Sequence, residues 1–199
     1  AEQVHPLFAT RGPPGTHDTA IGIATLDAVK AGRSVMLPRF DKRADEPLSS
    51  RDWPLLEGPC DLLLFEGWCV GAKTVPHDLL AQPVNDLERD DDPDGIWRAY
   101  WNTHLAGETA ALFARIDRLA YLRPPSFEIV HKWRCEQEHG YQAQDGAQRA
   151  AAAMTDEQVA RFIAHYERLT RWIMEAMPGR ADVTLQLAEA RSPVSVSVL

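Results

Sequence analysis

The run Asp61-Leu62-Leu63-Leu64-Phe65-Glu66-Gly67-Trp68 constrains this chain more than any other stretch, because a continuous apolar segment stops at one carboxylate followed by glycine. Strands of parallel sheets are covered on both faces and read as unbroken apolar runs. The run therefore predicts a buried parallel strand over Leu62 to Phe65. In open α/β sheets, ligands sit beyond the carboxyl ends of such strands, which would aim Glu66 into a ligand crevice. The alternative is a buried strand whose glutamate only satisfies a nearby donor.

Three further apolar stretches, Val35 to Leu37, Leu119 to Tyr121 and Val183 to Leu187, predict companion parallel strands. Helical signals lie between them. Asp18 is a natural N-cap for a helix that carries Ile23, Leu26 and Val29 and stops at Gly32. Trp97, Trp101, Leu105, Leu112 and Ile116 recur near a 3.6 period and predict one long helix to about residue 115, with the tryptophans in the core. Pro124-Pro125-Ser126 opens a helix through Trp133 and Glu138. Thr155 and Gln158 form a T-x-x-Q capping box before a helix over residues 156 to 177. Its stripe of Val159, Phe162, Ile163, Tyr166, Leu169 and Ile173 faces inward, which leaves Arg161, His165, Arg168 and Arg171 on a solvated face. The acidic stretch from residue 84 to 95 lacks the spacing of a calcium loop and reads as a solvated approach to the next helix.

The whole describes an α/β domain, a parallel sheet flanked by helices over residues 1 to 190, with 191 to 199 as a loosely held tail. A chain of 199 residues is long enough for one domain with its own core. A net charge of −8 argues against a general nucleic-acid or anionic-membrane partner, since both require basic surface. Cys60, Cys69 and Cys135 are odd in number and form no C-x-x-C pair, which suits reduced thiols in a cytoplasmic protein. No apolar stretch approaches the ~20 residues of a membrane span. The oligomeric state is left open by the sequence.

The motifs exclude several chemistries. There is no G-x-S-x-G elbow, no H-E-x-x-H and no Cys-His zinc spacing. What is present is a trio of polar clusters beside regular elements: Arg11-Gly12-Pro13-Pro14-Gly15-Thr16-His17-Asp18 before a helix, Leu37-Pro38-Arg39-Phe40-Asp41-Lys42 after a strand, and Phe65-Glu66-Gly67-Trp68. In this order, with Gly71 nearby, they resemble the small-molecule kinases of the P-loop NTPase superfamily, in the branch of uridine kinase, phosphoribulokinase and pantothenate kinase, and most of all D-glycerate 3-kinase of the plant and fungal type. The resemblance covers most of residues 1 to 190.

That resemblance implies ATP-dependent phosphoryl transfer, with magnesium, to a hydroxyl of glycerate or a similar acid or polyol. It implies acceptor-binding roles for Arg11, His17, Asp18, Arg39, Asp41 and Lys42. Glu66 would serve catalysis by organising magnesium. Arg134, in a Trp133-Arg134-x-x-Gln137-Glu138 segment like one in glycerate kinase, would steady the γ-phosphate, with residues 141 to 153 as a lid; the other reading of Arg134 is an i, i+4 pair with Glu138. One expected piece is missing. These kinases hold the β- and γ-phosphates with G-x-x-x-x-G-K-S/T, which does not occur in these 199 residues. The expectation is a domain without its first strand and phosphate loop, the C-terminal two-thirds of a kinase. A noncatalytic ligand-binding or interaction module derived from that fold is the alternative.

Overall fold

In the computed structural model, which describes residues 1–41, 44, 46–144 and 154–199, Leu62 to Phe65 forms no strand. Leu62 and Leu64 are 75% and 84% exposed, and no other described segment pairs with this one. A strand exists only where a neighbour accepts from its N–H groups and donates to its carbonyls, and among the described residues none does.

The helices follow their local signals more closely. Helix α1 (Thr19–Lys30) starts where the Asp18 carboxylate accepts the Ile21 N–H at 3.0 Å and ends before Gly32 at φ 64°. Strand β1 (Val35–Met36) then pairs antiparallel with β4 (Leu55–Leu56), against the parallel expectation. Between them β2 (Phe40–Asp41) pairs with β3 (Glu46–Pro47). Lys42 and residues 145–153, with most of the expected lid, lie outside the described residues.

A short α2 (His77–Leu80) and α3 (Asp86–Asp91) lead to α4 (Ile96–Ala106) and α5 (Glu108–Phe113). The long helix expected here is broken at Gly107, whose φ of −99° and ψ of −109° leave the helical region. Helix α1 lies along α5: Asp27 takes a two-pronged bond from Arg115 at 2.9 and 3.0 Å, and Thr19 donates to Glu108 at 3.1 Å.

Strand β5 (Ala120–Arg123) and α6 (Glu128–Gln144) precede α7 (Asp156–Ala164) and α8 (Glu167–Ala176). Both halves of the Thr155–Gln158 capping box form. The expected single helix over 156 to 177 is two, with Tyr166 at the break. Strand β6 (Val183–Leu187) runs parallel to β5 as expected, but β7 (Pro193–Val198) returns antiparallel beside it, so the residues read as a loose tail are sheet.

The register sets two faces. Tyr121 opposes Thr184 and turns toward the main core, whereas Leu122, Leu185 and Val196 align on the other face, with Leu122 60% and Val196 61% exposed. That core joins Phe8, Cys69, Trp97, Trp101, Leu105, Leu169 and Ile173; a smaller one holds Phe127, Cys135, Val159 and Ile163.

Charge also enters the interior, which corrects two expectations. Glu88, Asp92, Arg98 and Arg168 are all buried. Arg168 was expected on a solvated face and Glu88 in a solvated approach. Instead the Arg168 Nε reaches the Glu88 oxygens at 2.9 and 3.2 Å, while its other nitrogens donate to the carbonyls of Leu79 and Gln82. Arg98 meets Asp92 at 3.3 Å and donates to the Leu80 carbonyl at 2.8 Å. A desolvated ion persists when each of its hydrogen-bonding groups is matched in this way. Among the described residues no helix is long and apolar enough to cross a membrane.

Candidate acceptor site

The Arg11 to Asp18 loop is shaped by its own composition. Pro13 and Pro14 are buried and have fixed φ, while Gly12 and Gly15 take φ of 117° and 89°, which side chains beyond Cβ-free glycine rarely adopt. Thr16 closes the turn: its Oγ1 accepts the Gly12 N–H at 3.0 Å and donates to the Pro13 carbonyl at 2.8 Å. Neighbours press on both glycines. A Cβ on Gly12 would sit 3.1 Å from the Tyr166 ring, and one on Gly15 2.9 Å from His104.

Two aromatic donors hold successive carbonyls of this turn. The Tyr166 hydroxyl donates to the Arg11 carbonyl at 2.6 Å, and the Trp68 indole N–H donates to the Gly12 carbonyl at 3.3 Å. The donors pack edge to face, with ring centroids 5.0 Å apart and an interplanar angle of 86°. On the other side the Arg11 guanidinium lies 4.4 Å over the Phe40 ring. The Phe40 and Trp68 motifs therefore both touch the first motif, one at Arg11 and the other at Gly12.

The structure describes all the remaining expected site residues except Lys42. His17 is held toward its neutral form by crowding of protein atoms around the ring and then by the charge of Arg11, although water still reaches it. Asp18 is exposed and spends one oxygen capping α1. Asp41 accepts the Ala44 N–H at 3.3 Å. Arg39 is exposed, and its carbonyl accepts the Leu48 N–H at 2.9 Å. Lys42 lies outside the described residues. Glu66 is exposed two residues before Trp68 and ends no strand. Among the described residues, no three His, Cys, Asp or Glu side chains gather to hold a metal ion.

Arg134 reaches the cluster indirectly. Its guanidinium lies 5.5 Å from the centre of the Phe162 ring, and Phe162 is 5.0 Å from Tyr166. The i, i+4 pair with Glu138 does form, at 2.5 Å, but turned inward, with Glu138 buried. Gln137 accepts from the same arginine at 2.6 Å, while the buried Arg134 Nε has no hydrogen-bond partner among the described residues. Burial pushes the Tyr166 hydroxyl up to about 12, against the lowering by Arg11 and Arg134, so it is a donor at neutral pH.

The sequence pattern assigned Tyr166 to a core stripe and gave Trp68 no site role. Both make contacts that no local spacing encodes. The only hint was the glycine at position 12, whose missing side chain makes room for the Tyr166 ring.

No protein-family profile matches the chain. It is 30% identical over 168 residues, 80% of this chain, to the chloroplastic D-glycerate 3-kinase of Arabidopsis thaliana. It is 27% identical over 172 residues, 81% of this chain, to the uncharacterized kinase mug58 of Schizosaccharomyces pombe. The chain spans 33% of the length of the plant protein and 58% of the yeast one. Among solved structures, D-glycerate 3-kinase from Cryptococcus neoformans var. grubii superposes with a TM-score of 0.75 at 25% identity, covering 100% of this chain and 72% of the fungal one.

Proposed function

This chain is thus a relative of proteins named D-glycerate 3-kinase, and we propose that it supplies the acceptor-binding half of a P-loop kinase that transfers a phosphoryl group from ATP to a hydroxyl of glycerate or a similar small acid or polyol. The observation that carries the reading is the contact among three separate motifs at Arg11, Phe40 and Trp68. A hydroxy-carboxylate needs cations for its carboxylate and hydrogen-bonding groups for its hydroxyls. Arg11, Arg39 and Lys42 supply the first; His17, Asp18 and Asp41 supply the second.

Magnesium takes oxygen ligands and keeps several waters, binding through one or two carboxylates plus substrate phosphates. A single exposed carboxylate at Glu66 fits that pattern. Bound magnesium would offset phosphate charge during transfer. The chain's own part is to hold the acceptor hydroxyl and its carboxylate in place, with Arg134 facing the transferred group. The G-x-x-x-x-G-K-S/T loop that completes such a site would come from polypeptide outside these 199 residues.

Because that motif does not occur in these 199 residues, the second reading is a noncatalytic module that binds the acceptor alone. Calorimetry on the 199-residue chain, and turnover by the gene product that includes the preceding coding region, separate the two. D-glycerate binding by the chain, with turnover only by the longer product, supports the kinase. In that product His17→Ala or Asp41→Ala should raise the acceptor KM while leaving nucleotide affinity unchanged, and Glu66→Gln should lower kcat. Equal weakening of nucleotide and acceptor binding by His17→Ala or Asp41→Ala would contradict the assignment. A longer product still lacking the motif, and inactive, leaves the binding module.

A further inference from the structure

Resting on the acceptor-site reading above, we propose that the Tyr166 hydroxyl is the positioning group of that site: it sets the Arg11 backbone so that the guanidinium is presented to the acceptor's carboxylate. Tyr166 stands at the break between α7 and α8, where its N–H donates to the Ile163 carbonyl at 2.9 Å. From there its ring touches three other parts of the chain. It covers Gly12, meets Trp68 edge-on and packs against Phe162.

A phenylalanine could make every one of those ring contacts. What tyrosine adds is a single atom, and that atom donates 2.6 Å to the Arg11 carbonyl. Because Trp68 holds the next carbonyl, that of Gly12, the peptide units on both sides of a left-handed glycine are fixed by two donors packed on each other. The first of these is also the peptide unit that leaves the Arg11 Cα, so holding it restricts the Arg11 ψ and with it the direction in which the Cα–Cβ bond points. Arg11 then needs only its own side-chain torsions to rest on Phe40. Without the hydroxyl, the Arg11 carbonyl becomes free to turn toward solvent, and the guanidinium is no longer preorganised; recognition by preorganised groups is lost mainly as affinity. The same tyrosine touches Phe162, over whose ring the Arg134 guanidinium lies, so one side chain links the acceptor loop to α6.

The test compares the wild-type chain with Tyr166→Phe and Tyr166→Leu, titrated with D-glycerate and with glycerol, which keeps hydroxyls but lacks the carboxylate. Tyr166→Phe should retain the melting temperature within a few degrees and bind D-glycerate about tenfold more weakly, with glycerol affinity unchanged. Preference for the carboxylate therefore falls by the same factor, which a general loss of packing would not produce. Tyr166→Leu, which also removes the ring, should be weaker for both ligands. Hydrogen exchange of the Gly12 amide and the Trp68 indole resonance, assigned with Trp68→Phe, report the turn without any ligand; both should change in Tyr166→Phe. If the wild type binds neither compound, the acceptor reading falls, and these two ligand-free readouts still decide the positioning role. Tyr166→Phe with unaltered exchange and an unaltered Trp68 resonance would overturn the proposal, as would a Tyr166→Phe variant that keeps the full wild-type preference for D-glycerate over glycerol.

Discussion

Leu62 to Phe65 and the Glu88–Arg168 pair invert the usual relation between polarity and depth. The apolar run lies outside, with Leu64 84% exposed, while the carboxylate and guanidinium lie inside, with Glu88 1% and Arg168 6% exposed. Depth is decided by what the neighbours offer. Arg168 enters the interior because Glu88 and the carbonyls of Leu79 and Gln82 satisfy its donors. Leu64 stays outside because no described strand or helix face lies against it. The outer face of β5, β6 and β7, with Leu122 and Val196, belongs with Leu64 in this respect.

The contrast breaks first at the buried pair. Arg168→Met leaves Glu88 buried without its main partner and should lower unfolding free energy by about 3–5 kcal/mol, as measured by urea denaturation; a loss under 1 kcal/mol would mean that water reaches Glu88. At Gly12 the cost comes from backbone and neighbour together. An alanine there must adopt φ of 117° against the Tyr166 ring, and Gly12→Ala should destabilise by about 1–3 kcal/mol. Asp18→Ala removes a helix cap and should cost about 1 kcal/mol. Leu64→Ser marks the other pole: a side chain that buries little should change the stability of this chain by less than about 0.5 kcal/mol. A larger loss would mean that Leu64 is covered in solution.

Acid sharpens the same comparison at the surface. The Arg171 hydrogen bond, with help from the Glu128 backbone and Ser126, pulls the Glu128 carboxyl from 4.5 to about 2. Since the folded value lies below the unfolded one, this contribution is full above pH 4.5 and fades as pH falls toward 2. Arg171→Ala should flatten stability against pH within that window, read from denaturation midpoints, and leave the curve unchanged near neutrality.

What could be read from sequence was what short range decides. The Asp18 cap, the Thr155–Gln158 box and the inward Trp97 and Trp101 depend on residues within a few positions, and all are as expected. The parallel pairing of Leu119 to Tyr121 with Val183 to Leu187 was also legible, because both runs are apolar and a helical crossover separates them. The Leu62 to Phe65 strand, the depth of Arg168 and the site role of Tyr166 depend on partners far along the chain. At the site, the Arg11, Phe40 and Trp68 motifs were visible as residue types. Their contact was not, because Arg11 and Trp68 meet through a tyrosine that the helical period placed in the core.

The hydrogen bond from Tyr166 to Arg11 spans 155 residues, which has a consequence for the order of folding. The turn around Gly12 is synthesised before Tyr166 and can close on Thr16 at once, since that contact spans four residues. Its final setting waits for the last third of the chain, because closing so long a loop requires the elements between to be largely in place. The Gly12 turn therefore matures late although it is made before the segment that sets it. Refolding followed through Trp68 should reach its native signal in the slowest phase, after α1 and its Asp18 cap have formed.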